Sequence, residues 1–408
     1  MIVKEYIKNF EKLGFGMFVH LGLYSLLSKG EWSKWNLKIA DDEYNSLYKK
    51  FNPKPDWAKE LVKVAKKAGC KYITLTTRHH DGYSLYDTKG LSDFDSVHGC
   101  GRDLVREFVD ACNAEGVIPF FYHTLLDWHH PSYNADFKDY LKYLRKSVEI
   151  LFSNYGEIGG IWFDGMWNKP NDDWEEDELY SLIRSLQPNT MIINNTGLGA
   201  RGELGHIELD SVTFERGRPG PINQEGAQKY VASEMCEVFC NHWGYAENDL
   251  GYKSANELIE SIAICRRYGS NMLLNVGPMG DGGLRKIDEG MLELIGIWTN
   301  TFSEAIYLPR PTNIEIENKP DDFILKNGKD YYLYCFHIDM VGDPNVVIEG
   351  NADYERNFTF PEKIKTVKWL DSGEELEFTQ KEAQVKLNLT PYKYGKQLVV
   401  RVAKITVE

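Results

Sequence analysis

Apolar and polar positions along the first three quarters of the chain change period repeatedly. From residue 14 to about 278, short β-branched and aromatic runs are separated by stretches in which apolar residues recur at helical spacing, the pattern of a parallel sheet wound with helices. The runs are GFGMFVHLG (14–22), KYITLTTRHH (71–80), VIPFFYHTLLDW (117–128), GGIWFDGMW (159–167), TMIINNTG (190–197), HIELDSVTFE (206–215), CEVFCNHWGY (236–245) and NMLLNVGP (271–278). Stretches such as PDWAKELVKVAKKAG and DYLKYLRKSVEILFSNYG supply the helices. Eight strand–helix units predict an α/β fold, a (β/α)8-like (TIM) barrel. A doubly wound open sheet is the competing architecture, and the lack of a G-x-G-x-x-G after the first run counts against it.

The period changes again at LPRPTN (308–313). Beyond it, DFILKNGKDYYLYCFHI, NVVIEG, NFTFPEKIKTVKWLD, AQVKLNLT and KQLVVRVAKITVE alternate with period two and are punctuated by Gly, Asn and Pro. They predict a C-terminal antiparallel β-sandwich over 309–408, following a catalytic barrel over 1–308. The sandwich holds no convincing catalytic cluster and reads as an accessory or packing module, with carbohydrate binding as the alternative.

Polar and aromatic residues gather at the C-terminal ends of the runs, where barrel enzymes build their sites. His20, His79, His80, Tyr122, Asp127, Trp128, Asp164, Asn194, Glu215, His242 and Trp243 all fall there. Asp164 stands among Trp162, Phe163 and Trp167, and a carboxylate on an aromatic floor suits sugar chemistry, because pyranose C–H faces pack on indole rings. Its structural alternative is a turn cap on Gly165. Retaining glycoside hydrolysis needs a second carboxyl group about 5 to 5.5 Å away, protonated so that it can donate. Glu215 ends the sixth run and would be aimed at the same cavity. Glu234 is its rival; it precedes the predicted seventh strand and is therefore expected nearer the bottom of the barrel. Arg216 and Arg218, if close in space, are expected to lower the Glu215 pKa or else to face the leaving group.

Composition narrows the class. The formal charge is −14, and no Lys/Arg run is long enough to attract nucleic acid or an anionic membrane. The charged N-terminus MIVKEYIKNFEKLGFG lacks a signal-peptide core, so a cytoplasmic location is expected. Seven scattered cysteines fit reduced, packed thiols, and Cys236 with Cys240 lacks the partners of a zinc site. No metal or other cofactor is expected, and a homo-oligomer is compatible with the sequence.

The set FGMFVHLGLYS, GEW, YITLTTRHHDGYSLYDT, FFYHTLLDW, GGIWFDG, NHWGY and NMLLNVGPMGDG, spread over residues 14–307, resembles the α-L-fucosidases of glycoside hydrolase family 29. The resemblance implies a (β/α)8-like barrel followed by a β-sandwich, and retaining cleavage of terminal α-linked L-fucose from oligosaccharides or glycoconjugates. It implies Asp164, in W-x-D, as nucleophile and Glu215, in Thr213-Phe214-Glu215, as acid/base, with Glu234 the alternative because the acid's place varies among branches. It also implies fucose contacts from His20, Glu31, Trp32, His79, His80, Tyr122 and Trp162. This chain departs from the family pattern at Leu21, Arg78 and Ser233, where Trp, Lys and Trp are more usual. Two other readings stand beside it: a metal-dependent barrel hydrolase built on His20, His79, His80 and Asp164, and a carbohydrate-binding protein without catalysis.

Overall fold

The protein is described by a computed structural model covering residues 3–222, 224, 228–342, 345 and 353–408. Each apolar run of the first part contributes one strand: β1 Phe15–Val19, β2 Tyr72–Arg78, β3 Ile118–Thr124, β4 Gly160–Asp164, β5 Met191–Asn194, β6 Ser211–Glu215, β7 Ala232–Val238 and β8 Asn271–Val276. They pair in sequence order, all parallel, and β8 pairs back onto β1 to close the barrel. Strands covered on both faces need apolar side chains at nearly every position, which is why they read as continuous runs rather than alternating ones.

Inside the barrel, Phe18, Tyr72, Phe120, Tyr122, Trp162, Ile193, Cys236 and Leu273 form one buried cluster. The N-terminal helix Glu5–Glu11 adds Ile7 and Phe10 to it and closes the end where the strands begin. Gly160 makes room for this filling, since a Cβ there would lie 2.3 Å from the Phe120 ring. The helices that follow the strands are held by side-chain caps; Asp103 accepts from the Arg106 amide and Asp136 from the Asp139 amide.

The seventh strand begins four residues before the run that predicts it. Ser233 and Glu234 interrupt the apolar sequence, yet both lie within β7, where Glu234 pairs in register with Thr213 of β6 and Asn271 of β8. A polar residue can occupy a buried strand when its partners come from inside the fold.

The chain divides into two compact units, Met1–Lys253 with Asn271–Glu293, and Ser254–Ser270 with Leu294–Glu408. The barrel strands all belong to the first. The second contains the helix Ala255–Arg267, opened by a Ser254/Glu257 capping box, and the strands β9 Arg310–Glu315, β10 Phe323–Asn327, β11 Asp330–Cys335, β12 Glu355–Thr359, β13 Ile364–Trp369, β14 Glu377–Lys381, β15 Gln384–Asn388 and β16 Arg401–Val407. These form two antiparallel sheets, β13-β16-β11-β10-β9 and β12-β15-β14. Leu333, Val367 and Ile405 of one sheet meet Phe358, Val385 and Leu387 of the other in a single core, the sandwich that the period-two alternation predicts. Of the predicted strand NVVIEG, 346–350 lie outside the described residues.

Candidate active site

At the C-terminal ends of the barrel strands lies a cavity of about 560 Å³. His20, Glu31, Trp32, His79, His80, Tyr122, Trp162, Asp164 and Glu215 all line it, although they are scattered over nearly 200 residues of sequence. Strand alternation brings them together. Along β4, Trp162 and Asp164 face inward and Phe163 outward; along β6, Thr213 and Glu215 face inward. Gly165 then turns the chain at φ +101, where a Cβ would collide with the Leu126 backbone nitrogen at 2.7 Å.

The two carboxylates end strands β4 and β6, and the strand between them supplies the link. Asn195, the first residue beyond β5, donates from Nδ2 to Asp164 Oδ1 at 3.1 Å and to Glu215 Oε2 at 2.8 Å. Its Oδ1 accepts from Thr213 Oγ1 and from the Gly197 amide, both at 3.1 Å, which fixes the orientation of the amide. The bonded carboxylate oxygens can therefore be no farther apart than the two bonds laid end to end, about 6 Å. That closeness of the bonded oxygens is compatible with the roughly 5–5.5 Å carboxyl pairing of retaining glycosidases.

Asp164 is further held by the Tyr122 hydroxyl at 3.0 Å and the Trp167 indole N–H at 3.1 Å. Glu215 sits in a different environment. Burial, followed by the nearby Asp164 charge, raises its pKa above the usual carboxylate range, against the lowering effects of Asn195, Arg216 and Arg201. The sequence leaves two roles open for the arginines; Arg216 does lower this pKa, but burial outweighs it, and its guanidinium lies over the Trp243 ring and donates to the Asn241 carbonyl, while Arg218 is exposed.

The histidines present a consistent set of ring nitrogens. Asn275 donates to the Trp243 carbonyl, so its oxygen accepts from His20 Nδ1 at 2.6 Å and leaves Nε2 as an acceptor. The Thr124 hydroxyl donates to the Leu126 carbonyl, so His80 Nδ1 donates to Thr124 and its Nε2 is likewise an acceptor. His80 Nε2 lies 3.5 Å from Asp164 Oδ2, two acceptors with no proton between them, a geometry that a ligand hydroxyl completes. Among the described residues, His79 Nδ1 has no hydrogen-bond partner, and it is buried. Burial lowers the pKa of all three rings and keeps them neutral, His20 being pushed down to about 3. Glu31 accepts from the Trp243 and Gly244 amides through one oxygen, Oε2.

Glu234 lies apart from the cavity. It is buried within the barrel, accepting from the Tyr72 hydroxyl and, at 3.0 Å, from Trp162 Nε1, and burial pushes its pKa up to about 7. It supports the cavity floor from below. Among the other strand-end residues, Asn194 faces outward and donates to Tyr180 of the helix Glu176–Leu186, so the inward asparagine is Asn195. Asp127 accepts from the His129 and His130 amides, and His242 bonds to Asp249. Arg78 is buried over the Tyr143 ring, outside the cavity. Asp81 accepts from Tyr44 and from the Tyr83 amide and shapes the turn after the paired histidines. Residues unforeseen from the sequence are Asn195, Phe18 and the loop 196–200, all of which line the cavity. Among the described residues, no group of three or more His, Cys, Asp or Glu side chains could hold a metal ion.

A closed eight-stranded barrel with a carboxylate pair at its mouth, an aromatic floor and neutral imidazoles is the architecture of a glycoside-processing enzyme. Residues 3–304 match the alpha-L-fucosidase family, and the chain belongs to that family. The chain is 27% identical to the alpha-L-fucosidase of Branchiostoma floridae over 81% of this chain and 78% of that protein. It is 29% identical to the tissue alpha-L-fucosidase of Rattus norvegicus over 76% and 71% respectively. Among solved structures, alpha-L-fucosidase isoenzyme 1 from Paenibacillus thiaminolyticus superposes with a TM-score of 0.82 at 28% identity, covering 99% of both chains.

Proposed function

We propose that this protein hydrolyses terminal α-linked L-fucose from oligosaccharides or glycoconjugates with retention of configuration, Asp164 acting as nucleophile and Glu215 as acid/base. The observation that carries the reading is the Asn195-bridged carboxylate pair, in which one amide nitrogen reaches both groups, so that their bonded oxygens lie within about 6 Å, yet the two differ in environment. Asp164 attacks the anomeric carbon as the glycosidic C–O bond breaks, and Glu215 gives its proton to the departing oxygen. Glu215, now ionised, takes a proton from water, whose oxygen attacks the anomeric carbon of the fucosyl ester and releases Asp164. Fucose leaves with its original configuration and Glu215 regains its proton. Protons and a carboxylate suffice for every step.

The cavity supplies what binding needs. His20 Nε2 and His80 Nε2 accept from sugar hydroxyls, the His79 ring lines the same wall, and Trp162 and Trp243 give faces to the C–H surface of the ring. Asn195 is assigned a positioning role, holding both carboxylates at working distance. Glu234 is assigned to the support of Trp162 rather than to proton transfer, because its carboxylate bonds under the floor and does not line the cavity. The same reading puts the chemistry in residues 1–308 and gives 309–408 an accessory role. Seven free thiols support a reducing compartment such as the cytoplasm.

Azide rescue separates the two candidate acids. With 4-nitrophenyl α-L-fucoside, exogenous azide is expected to restore turnover to Glu215→Ala and yield a fucosyl azide. Rescue of Glu234→Ala alone would transfer the acid/base role to Glu234.

A further inference from the structure

Behind the paired histidines the fold buries a cation that the proposed reaction does not use. Arg78 ends β2, two residues before His80, and is 0% exposed; Asp127, just beyond β3, is 2% exposed. Arg78 Nη2 faces Asp127 Oδ2 across 3.8 Å, and among the described residues neither atom has a hydrogen-bond partner. The rest of the guanidinium meets neutral groups. Its Nη1 donates at 3.2 Å to Ser147 Oγ on the helix Phe137–Asn154, and the Tyr143 ring of the same helix lies 4.9 Å from Cζ. His123 Nδ1 donates to the Thr124 carbonyl, so its Nε2 accepts from Ser147 Oγ at 2.9 Å, and burial keeps the ring uncharged. Asp127 is thus the anion that Arg78 faces, and a buried charge deprived of its partner is strongly unfavourable.

The pair acts on the site through a turn. Asp127 Oδ1 accepts from the His129 and His130 amides, both at 2.8 Å, and so fixes the turn in which Trp128 stands. The Trp128 amide donates to the His80 carbonyl at 2.8 Å, and its ring packs 5.5 Å from the His80 ring and 5.0 Å from the Trp32 ring. His80 and Trp32 line the cavity, whereas Arg78, Asp127 and Trp128 do not. We propose that Arg78 is a positioning residue: paired with Asp127, it holds the turn 127–130 in the form that seats Trp128 against His80 and Trp32, and so keeps His80 placed beside Asp164. The proposal rests on the fucosidase reading above.

The groups facing Asp127 give the pair a pH signature. Arg78, His80 and Asp81 face it from β2 and the turn that follows, His129 and His130 from its own turn, and Tyr133, Tyr140 and Tyr143 from the helical residues beyond. Burial lowers the pKa of the three histidines and raises that of the three tyrosines, which keeps all six neutral. Burial also pushes Asp81 up to about 6, which makes it a second acid near the turn. Arg78 is the cation among these groups. Without it, burial and the Asp81 charge favour the protonated form of Asp127, and a neutral acid accepts the two amides less strongly than a carboxylate.

The test is the acid limb of kcat/KM for 4-nitrophenyl α-L-fucoside. Arg78→Met is expected to move the limb up by about one pH unit or more, the size of effect that losing a neighbouring opposite charge has on a carboxyl group. Arg78→Lys keeps a cation and should keep the wild-type limb. Arg78→Met/Asp127→Asn has no acid at 127, so the limb should return to the wild-type pH on a lower plateau. A limb that stays in place in Arg78→Met, however low the plateau, overturns the proposal; a raised limb that persists in the double variant assigns the titration to Asp81 and overturns it as well. Melting curves judge the pair without turnover. The Tm of Arg78→Met should fall below that of the double variant by more at about pH 8 than at about pH 5, because a carboxyl group with a raised pKa adds stability only while it holds its proton; an equal difference at both overturns the pair. If Arg78→Met does not fold, folding of the double variant is the expected rescue, and failure of both overturns the proposal. A wild-type protein that does not cleave the fucoside overturns the fucosidase reading, and the Tm comparison still decides the pair.

Discussion

Asn195→Ala removes one amide nitrogen and with it two hydrogen bonds to ionisable carboxyl groups, at 3.1 Å to Asp164 and 2.8 Å to Glu215. A hydrogen bond to a charged group contributes about 1.5–3 kcal/mol net. With the bridge gone, no donor lies between the two groups, whose bonded oxygens are at most about 6 Å apart, so ionisation of Glu215 beside Asp164 becomes costlier. Losing about 1.4–2.7 kcal/mol of transition-state stabilisation corresponds to a fall of about 10- to 100-fold in kcat. KM should stay within about threefold, because the histidines that hold the sugar are untouched. The pH profile carries the more specific signal. The Asn195 N–H favours the ionised form of Glu215, so its removal raises that pKa further. Glu215 must keep its proton to act as acid, so the alkaline limb of kcat/KM for 4-nitrophenyl α-L-fucoside moves to higher pH. Circular dichroism and a melting curve establish that the variant is folded. A folded variant with kcat within twofold of wild type and an unmoved alkaline limb refutes the positioning role.

Three further outcomes are expected. Glu234 is pushed up to about 7 by burial, so between about pH 4.3 and 7 the folded protein keeps a proton that the unfolded chain has lost. Its contribution to stability therefore falls as pH rises through that window; Glu234→Gln should gain more in Tm over wild type at pH 8 than at pH 5 and retain turnover, and an equal Tm difference at both pH values would contradict the assignment. His80→Ala loses the Nε2 acceptor beside Asp164, and kcat/KM on the nitrophenyl fucoside should fall about 5- to 100-fold, the equivalent of about 1–3 kcal/mol; a change under twofold removes His80 from the binding set. Dialysis against EDTA should leave kcat/KM within twofold, and a loss restored by one divalent cation would favour the metal-dependent reading.

The barrel is legible because its strands are buried on both faces, which writes each as a short unbroken apolar run; β2, YITLTTR, is buried at every position. Glu234 shows where that signal fails. A polar residue looks like a strand boundary until its partners are known, and Tyr72 and Trp162 come from strands far away in sequence. The choice between Asn194 and Asn195 depends on strand phase. Adjacent asparagines give no composition cue, but counting alternate positions from the inward Ile193 puts Asn195 inside. The raised pKa of Glu215 was hidden for another reason: Arg216 is next to it in sequence, yet its guanidinium lies over Trp243, and the balance of burial against charge is set by loop geometry. The opening loop 196–200 carries no periodic pattern at all, so only its position beside Glu215 gives it meaning.

The central claim is that Asp164 forms the bond to the sugar. A 2-deoxy-2-fluoro-α-L-fucosyl fluoride slows breakdown of a covalent intermediate, and a peptide digest analysed by mass spectrometry then locates the label. The mechanism predicts one fluorofucosyl group per chain, on the peptide that contains Asp164, and no label in Asp164→Asn. A label on Glu215 or Glu234, or turnover of the nitrophenyl fucoside by Asp164→Asn at the wild-type rate, would contradict it.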